Sequence, residues 1–431
     1  MDRIPFIIFG DGPRLGTGLA RIALDLTVRL WSIEEELGIR VIQLGVDEPE
    51  GWHTRYQWDV YGFQPTLQNF GRNALQTMCL ELQERREPLP IVLAITDPSR
   101  VWDLVRPPLF SDLYPTERPQ ITLWGYYPVD AENPNGAIGG PAAVTVRQTA
   151  NLLGYGRYGA MVLQRTLEQG APQEVQARVP YLPHGIDTGT FRPRELGEAD
   201  PVFLDWERAL PHGCSVIGCV ATNQPRKDFG LLFSSLAELS EARDTAVWLH
   251  TDLLNGRAWD VGELVRQHHL RQARVLVTTG YLPDTQLAAR YSRSDATLAP
   301  GLGEGFGYPI VESLSCGCPV VHINYAGGVE LIPRRQWLVE PEAWRVESVY
   351  ALTRPVVHPR KVASALAALL TEQHSGRQVL RAYCRGAVGY LDWRYLWPRW
   401  ETWFRKGLAH ERRQREAIPP GGPPDGPSSA A

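Results

Sequence analysis

Residues 303–319 read GEGFGYPIVESLSCGCP, and this stretch decides what kind of fold the chain has. It follows a short β-type run at 295–299 and passes through glycines straight into a helix-length apolar segment at 308–315. A strand, a glycine turn and a helix in succession form one repeat of a parallel sheet covered by helices. Gly305 and Gly307 let the backbone approach a ligand closely, and the helix start turns free N–H groups toward an anion. Glu304 lies in the turn, and Glu312 projects from the helix. Two carboxylates flanking a nest of amides suit a ligand that carries a diphosphate and several sugar hydroxyls.

The same alternation extends in both directions. Apolar runs at 4–9, 39–44, 91–95 and 121–126 read as strands, with helices at 18–37 and around Phe70, Ala74, Met78 and Leu82. A second series has strands at 215–221, 245–249, 274–278, 295–299 and 320–323, with helices at 229–239, 257–268 and 308–315. Between the series, 179–211 is rich in Pro and Gly, and 359–416 reads as helical throughout. The pattern predicts an α/β chain of two doubly wound Rossmann-like domains facing a cleft. The first covers 1–190 and the second 205–390. A C-terminal helix at 391–416 crosses back to the first domain, and 417–431, rich in Pro, Gly and Ser, forms a disordered tail.

Composition narrows the class. The 431 residues are 43% hydrophobic and 21% charged, as in a folded globular protein. A net charge of −4 gives no global attraction to nucleic acid. Six cysteines are too few for a disulfide framework, and Cys316-Gly-Cys318 reads as small apolar filler beside a tight turn. The apolar start of the chain is too short for a signal peptide, so the expected compartment is the cytoplasm.

Arg226 and Lys227 stand where the helix at 229–239 is expected to open, a place where the macrodipole disfavours cations. A basic pair there makes sense if a diphosphate lies between them. No Asp-x-Asp pair follows an apolar strand, so the expected charge neutralisation is by side chains, with no metal and no cofactor.

Glu304 and Glu312 within GEGFGYPIVE resemble the Glu-x7-Glu signature of retaining glycosyltransferases of family 4, which have the GT-B fold. YLPHGIDTGTFRP (181–193), VATNQPRKDFGLLFSSL (220–236) and CGCPVV (316–321) resemble further family segments in the expected order. The likeness is specific over 181–328 and only topological over the first 150 residues. It implies transfer of a sugar from a GDP- or UDP-linked donor to an acceptor hydroxyl, with retention of anomeric configuration. Glu304, Lys227 and Arg226 would form the catalytic set. Glu304 would take the donor sugar's hydroxyls, Glu312 the ribose, and the amides of Gly305, Phe306 and Gly307 the sugar or phosphate. The family usually has an Arg five residues before the Lys; here that residue is Thr222, and Arg226 supplies the second charge.

On the acceptor side the candidates are Gly16 and Thr17 in GDGPRLGTGLA (10–20), and Asp130 in YYPVDAENPN (126–135). The first loop matches neither the P-loop nor the dinucleotide fingerprint, and its glycines equally suit helix–strand packing. Asp130 equally suits a turn, and relatives often carry a His nearby. His250 lines the donor pocket or is a loop histidine. Trp400, Trp403, Phe404 and Leu408 share a helical face that docks on the first domain or lies on a membrane surface. The acceptor is a sugar, a lipid-linked glycan, a peptide or a small molecule. The competing class is a non-catalytic nucleotide-sugar-binding scaffold of the same fold.

Overall fold

The computed structural model describes residues 3–66, 70–105, 120–170, 178–240, 244–252, 258–347 and 350–417. The expected tail, from 418 onward, and the start of the expected helix at 257 lie outside them. Among the described residues, the first sheet has β1 (Ile4–Asp11), β2 (Ile39–Val46), β3 (Gly51–His53), β4 (Asp59–Phe63), β5 (Ile91–Ile95), β6 (Thr122–Tyr127) and β7 (Asn151–Gly154). Their spatial order is β3-β4-β2-β1-β5-β6-β7, and all pairs are parallel except β3 with β4.

The second sheet has β8 (Ser215–Val220), β9 (Thr245–His250), β10 (Val275–Thr278), β11 (Ala296–Ala299), β12 (Val320–Ile323) and β13 (Leu338–Val339). Its order is β10-β9-β8-β11-β12-β13, parallel throughout. An antiparallel hairpin, β14 (Ala343–Val346) with β15 (Thr353–Val356), follows it. Chain order thus reverses between β1 and β5 in one sheet and between β8 and β11 in the other. Crevices at such reversals, beyond the carboxyl ends of the strands, are where doubly wound sheets bind ligands.

Strand β1 is buried along its whole length because both of its faces are covered. Phe6 and Ile8 face the helix Gly18–Trp31 and the C-terminal helix, whereas Ile7 and Phe9 face the opposite core with Leu75, Met78 and Val162. The expected helix at 18–37 stops at Trp31, and a separate turn, Glu34–Leu37, follows. Ser32 at the break bonds its hydroxyl to the Arg29 carbonyl at 2.7 Å, competing with the helical ladder.

The last helix, Trp393–Ala417, lies on the first domain. Trp400 meets Tyr126 edge-on at 4.8 Å, Trp403 meets Trp124 at 5.3 Å, and Phe404 meets Phe6 at 5.8 Å. Trp400 also donates to the Pro183 carbonyl at 3.0 Å. The aromatic face that the sequence offered to a membrane surface is therefore buried within the molecule. No described helix is long and apolar enough to cross a membrane.

Candidate functional site

Two loops of the second domain meet at its sheet reversal. The loop after β8 ends in a 3-10 turn, Pro225–Lys227, and then Asp228 at φ 42°. Arg226 and Lys227 therefore stand just before the helix Phe229–Ser240, in the turn that leads into it. Asp228 caps that helix, accepting from the Leu231 amide at 2.9 Å. The loop is braced by Asn223, whose side chain donates to the Trp259 carbonyl and accepts from the Trp259 amide, both at 2.9 Å. Thr222 is exposed.

The loop after β11 carries Glu304. Lys227 Nζ donates to Glu304 Oε1, and Arg226 Nη1 lies 3.7 Å from Oε2. The Leu302 amide donates to the Arg226 carbonyl at 2.7 Å, and Arg226 Nη1 donates to the Gly303 carbonyl at 2.9 Å, so the loops are tied together. Burial tends to raise the Glu304 pKa, but the charges of Lys227 and Arg226 outweigh it and hold the carboxyl at about 2. Burial and the neighbouring Arg226 charge lower Lys227, against the pull of Glu304.

The glycines of this loop answer to the first domain. Gly303 has φ 150°, and a Cβ there would lie 2.1 Å from the Asp130 carbonyl oxygen. Gly307, at φ 104°, caps the helix Tyr308–Ser315. Gly305 lies against Pro128 and Val129, and Phe306 is buried with its ring 3.8 Å from His184. The structure thus brings Gly305 and Phe306 to the seam between the domains, with Gly307 at the start of the helix that follows.

Asp130 is engaged from both sides. Its carboxylate lies 3.1 Å from Arg226 Nε and 3.3 Å from Arg354 Nη2. Glu312 is 4% exposed and accepts from Arg21 of the first domain and, at 3.2 Å, from the Tyr291 hydroxyl. Arg21 also donates to Asp284 at 2.5 Å and lies over the rings of Phe191 and Tyr308. Burial opposes the Arg21 charge, but Glu312 and Asp284 reverse that and raise its pKa.

Thr17 caps the helix Gly18–Trp31, accepting from the Ala20 amide at 3.0 Å and donating to Asp11. Gly16 beside it has open space where a side chain would stand. His250 sits at the end of β9, with Nδ1 3.0 Å from the Thr278 hydroxyl; burial and Arg290 lower its pKa. Cys316 and Cys318 are buried free thiols. Among the described residues, no group of three or more His, Cys, Asp or Glu could hold a metal ion.

Arg21 and Arg354 were missed from sequence. Arg21 had a usable signal: it stands in the first turn of a helix, the disfavoured place for a cation that singled out Arg226. Arg354 lies in a strand of four residues and gives no such sign.

Residues 214–370 match the family model described as glycosyl transferases group 1. The chain is 29% identical over 153 residues to O-antigen chain mannosyltransferase B of Escherichia coli, covering 35% of this chain and 39% of that one. It is 26% identical over 239 residues to the GDP-mannose-dependent alpha-(1-6)-phosphatidylinositol monomannoside mannosyltransferase of Mycobacterium tuberculosis, covering 52% and 54%. The match thus spans between two fifths and just over half of each relative's length. Sucrose-phosphate synthase from Thermosynechococcus elongatus superimposes with a TM-score of 0.65 at 15% identity, over 96% of this chain and 100% of that one. The chain has the two-domain GT-B fold, and its second domain is similar to the glycosyl transferases of group 1.

Proposed function

We propose that the protein transfers a hexose from a GDP- or UDP-linked donor to an acceptor hydroxyl with retention of configuration and without an obligatory metal. The observation that carries this reading is the seam beyond β8 and β11, where Lys227 and Arg226 converge on Glu304. As the donor's anomeric C–O bond breaks, its electron pair passes to the departing phosphate oxygen. Lys227 and Arg226 stabilise that charge in a water-poor site. The acceptor hydroxyl attacks on the same face, and its proton passes to the phosphate oxygen. Glu304, with a pKa of about 2, stays ionised at neutral pH and accepts hydrogen bonds from the donor sugar. It does not serve as a general acid.

Glu312, with Tyr291 beside it, would take the ribose hydroxyls as Arg21 yields one carboxylate oxygen. The amides of Gly305, Phe306 and Gly307 would border the donor sugar. Thr17 is already engaged by Asp11 and the helix amide, which leaves Gly16 as the open point of its loop for the acceptor or phosphate. Asp130 acts by positioning Arg226. A relative's dependence on GDP-mannose makes that donor the first to test, with sugar and lipid-linked acceptors. With a lipid-linked acceptor the protein would work in the cytoplasm as a peripheral partner of the membrane.

The test offers GDP-mannose and UDP-glucose to the purified chain in the presence of EDTA and follows nucleotide release. The anomeric proton of the product is then read by NMR. An α product from an α-linked donor supports the proposal, and an inverted product overturns retention. Donor binding without release or transfer would favour the non-catalytic scaffold.

A further inference from the structure

A cavity of ≈ 320 Å³ opens at the domain seam, lined by Glu132 and Tyr158 of the first domain and Tyr325, Ala326, Trp344 and Thr353 of the second. Its inner wall is shared with the transfer loop. The Gly328 amide donates to the Glu304 carbonyl at 3.1 Å, and a Cβ on Gly327 would lie 2.3 Å from the Gly305 carbonyl oxygen. Its outer wall is the β14–β15 hairpin. Strand alternation and register put Trp344 and Thr353 on one face of that hairpin, and Arg345 and Arg354 on the other. One face lines the cavity. From the other, Arg354 donates to the carbonyls of Asp130 at 3.0 Å and Leu302 at 3.2 Å.

The lining combines two chemistries. The rings of Tyr158, Tyr325 and Trp344 form a run of edge-on contacts at 6.1 and 5.2 Å. Trp344 remains 54% exposed, so its indole is not consumed by packing. Beside the rings, Glu132 Oε2 has an ion pair with Arg165 at 3.6 Å but accepts no hydrogen bond, and Thr353 Oγ1 is buried without one. Such groups favour a ligand that supplies hydroxyl donors. A wholly apolar ligand would leave both unsatisfied, and a phosphate would meet the Glu132 carboxylate. A pyranose presents an apolar ring face to the aromatics and hydroxyls at its rim, the mix of surfaces that ligand pockets of this size reward.

We propose that this cavity is a subsite for a neutral sugar ring of the acceptor, stacked on Trp344 and hydrogen-bonded by Glu132 and Thr353. Resting on the transfer reading above, it makes the acceptor a glycan or glycoside. Saturation-transfer NMR on the full chain tests it, with methyl α-D-mannopyranoside and methyl α-D-glucopyranoside as probes. At least one probe should receive saturation in the wild type and in Lys227→Ala, and lose it in Trp344→Ala. Glu132→Gln should weaken binding roughly tenfold, the loss of a hydrogen bond to a charged group. Trp344 is half exposed, so its variant should fold with an unchanged melting temperature and keep its calorimetric affinity for GDP and UDP.

Saturation that survives Trp344→Ala, or that appears with neither probe in the wild type, overturns the proposal. Loss in Lys227→Ala would place the probe in the donor site and overturn it as well. The transfer reading fails separately, if nucleotide sugars are neither bound nor cleaved while the glycosides still saturate.

Discussion

Lys227 is buried and Glu304 is mostly so, each beside a partner of opposite charge, and removing either leaves the other uncompensated. Lys227→Ala should cut turnover about a hundredfold, the usual cost of losing one preorganised charge-stabilising group, and steady-state kinetics with GDP-mannose checks this. The pair also sets a pH limit. Glu304 falls from an ordinary 4.5 to about 2 on folding, so its contribution to stability is complete above about 4.5 and disappears as the pH falls toward 2. Melting temperature should therefore drop over that window in the wild type, and less steeply in Glu304→Gln. Asp392, held at about 2 against its own burial by Arg394 and Thr188, adds a fall of the same sign.

Among elements, the C-terminal helix is the one whose packing is easiest to test. Trp400 is fully buried against Tyr126, and Trp400→Ala should cost about 3–5 kcal/mol, measured by chemical denaturation. That helix and most parallel strands were legible in the sequence, because strands buried on both faces read as continuous apolar runs. β3, β4 and β7 were not. GWH, DVYGF and NLLG are short and mix polar with apolar residues; β3 and β7 lie at the sheet edges, and β4 is flanked on one side only by the three-residue β3. The β14–β15 hairpin was missed for the same reason, and with it Trp344, Thr353 and Arg354. Motif residues such as Glu304 and Lys227 declare themselves through local glycines and charges. Arg21 and Asp130 reach the site only through the meeting of two domains, and Arg354 through a hairpin some fifty residues on, which no local window contains.

Across the whole molecule, the two domains are tied by charge at several points of the cleft. Arg21 joins Glu312 and Asp284, Asp130 joins Arg226 and Arg354, and Glu330 accepts the Arg157 and Tyr158 amides at 3.0 and 2.7 Å. Arg21→Ala should destabilise the protein by about 3 kcal/mol, because Glu312 would stay buried without its cation. Adding Glu312→Gln should recover much of that loss, a coupling that a double-mutant cycle on melting temperature measures. The chain crosses between the domains twice, and the crossings touch, with the Ile186 amide donating to the Leu391 carbonyl at 2.9 Å. The second crossing delivers Trp400, Trp403 and Phe404 to the surface over Phe6 and Trp124. During synthesis the first sheet therefore emerges long before the residues that cover it, and from the end of β7 at Gly154 its apolar face waits for more than two hundred further residues before Trp393 is made. Until residues 393–417 arrive, that face is exposed to water and to other nascent chains, so yield in a cell should depend on chaperone supply more than the finished molecule's stability suggests.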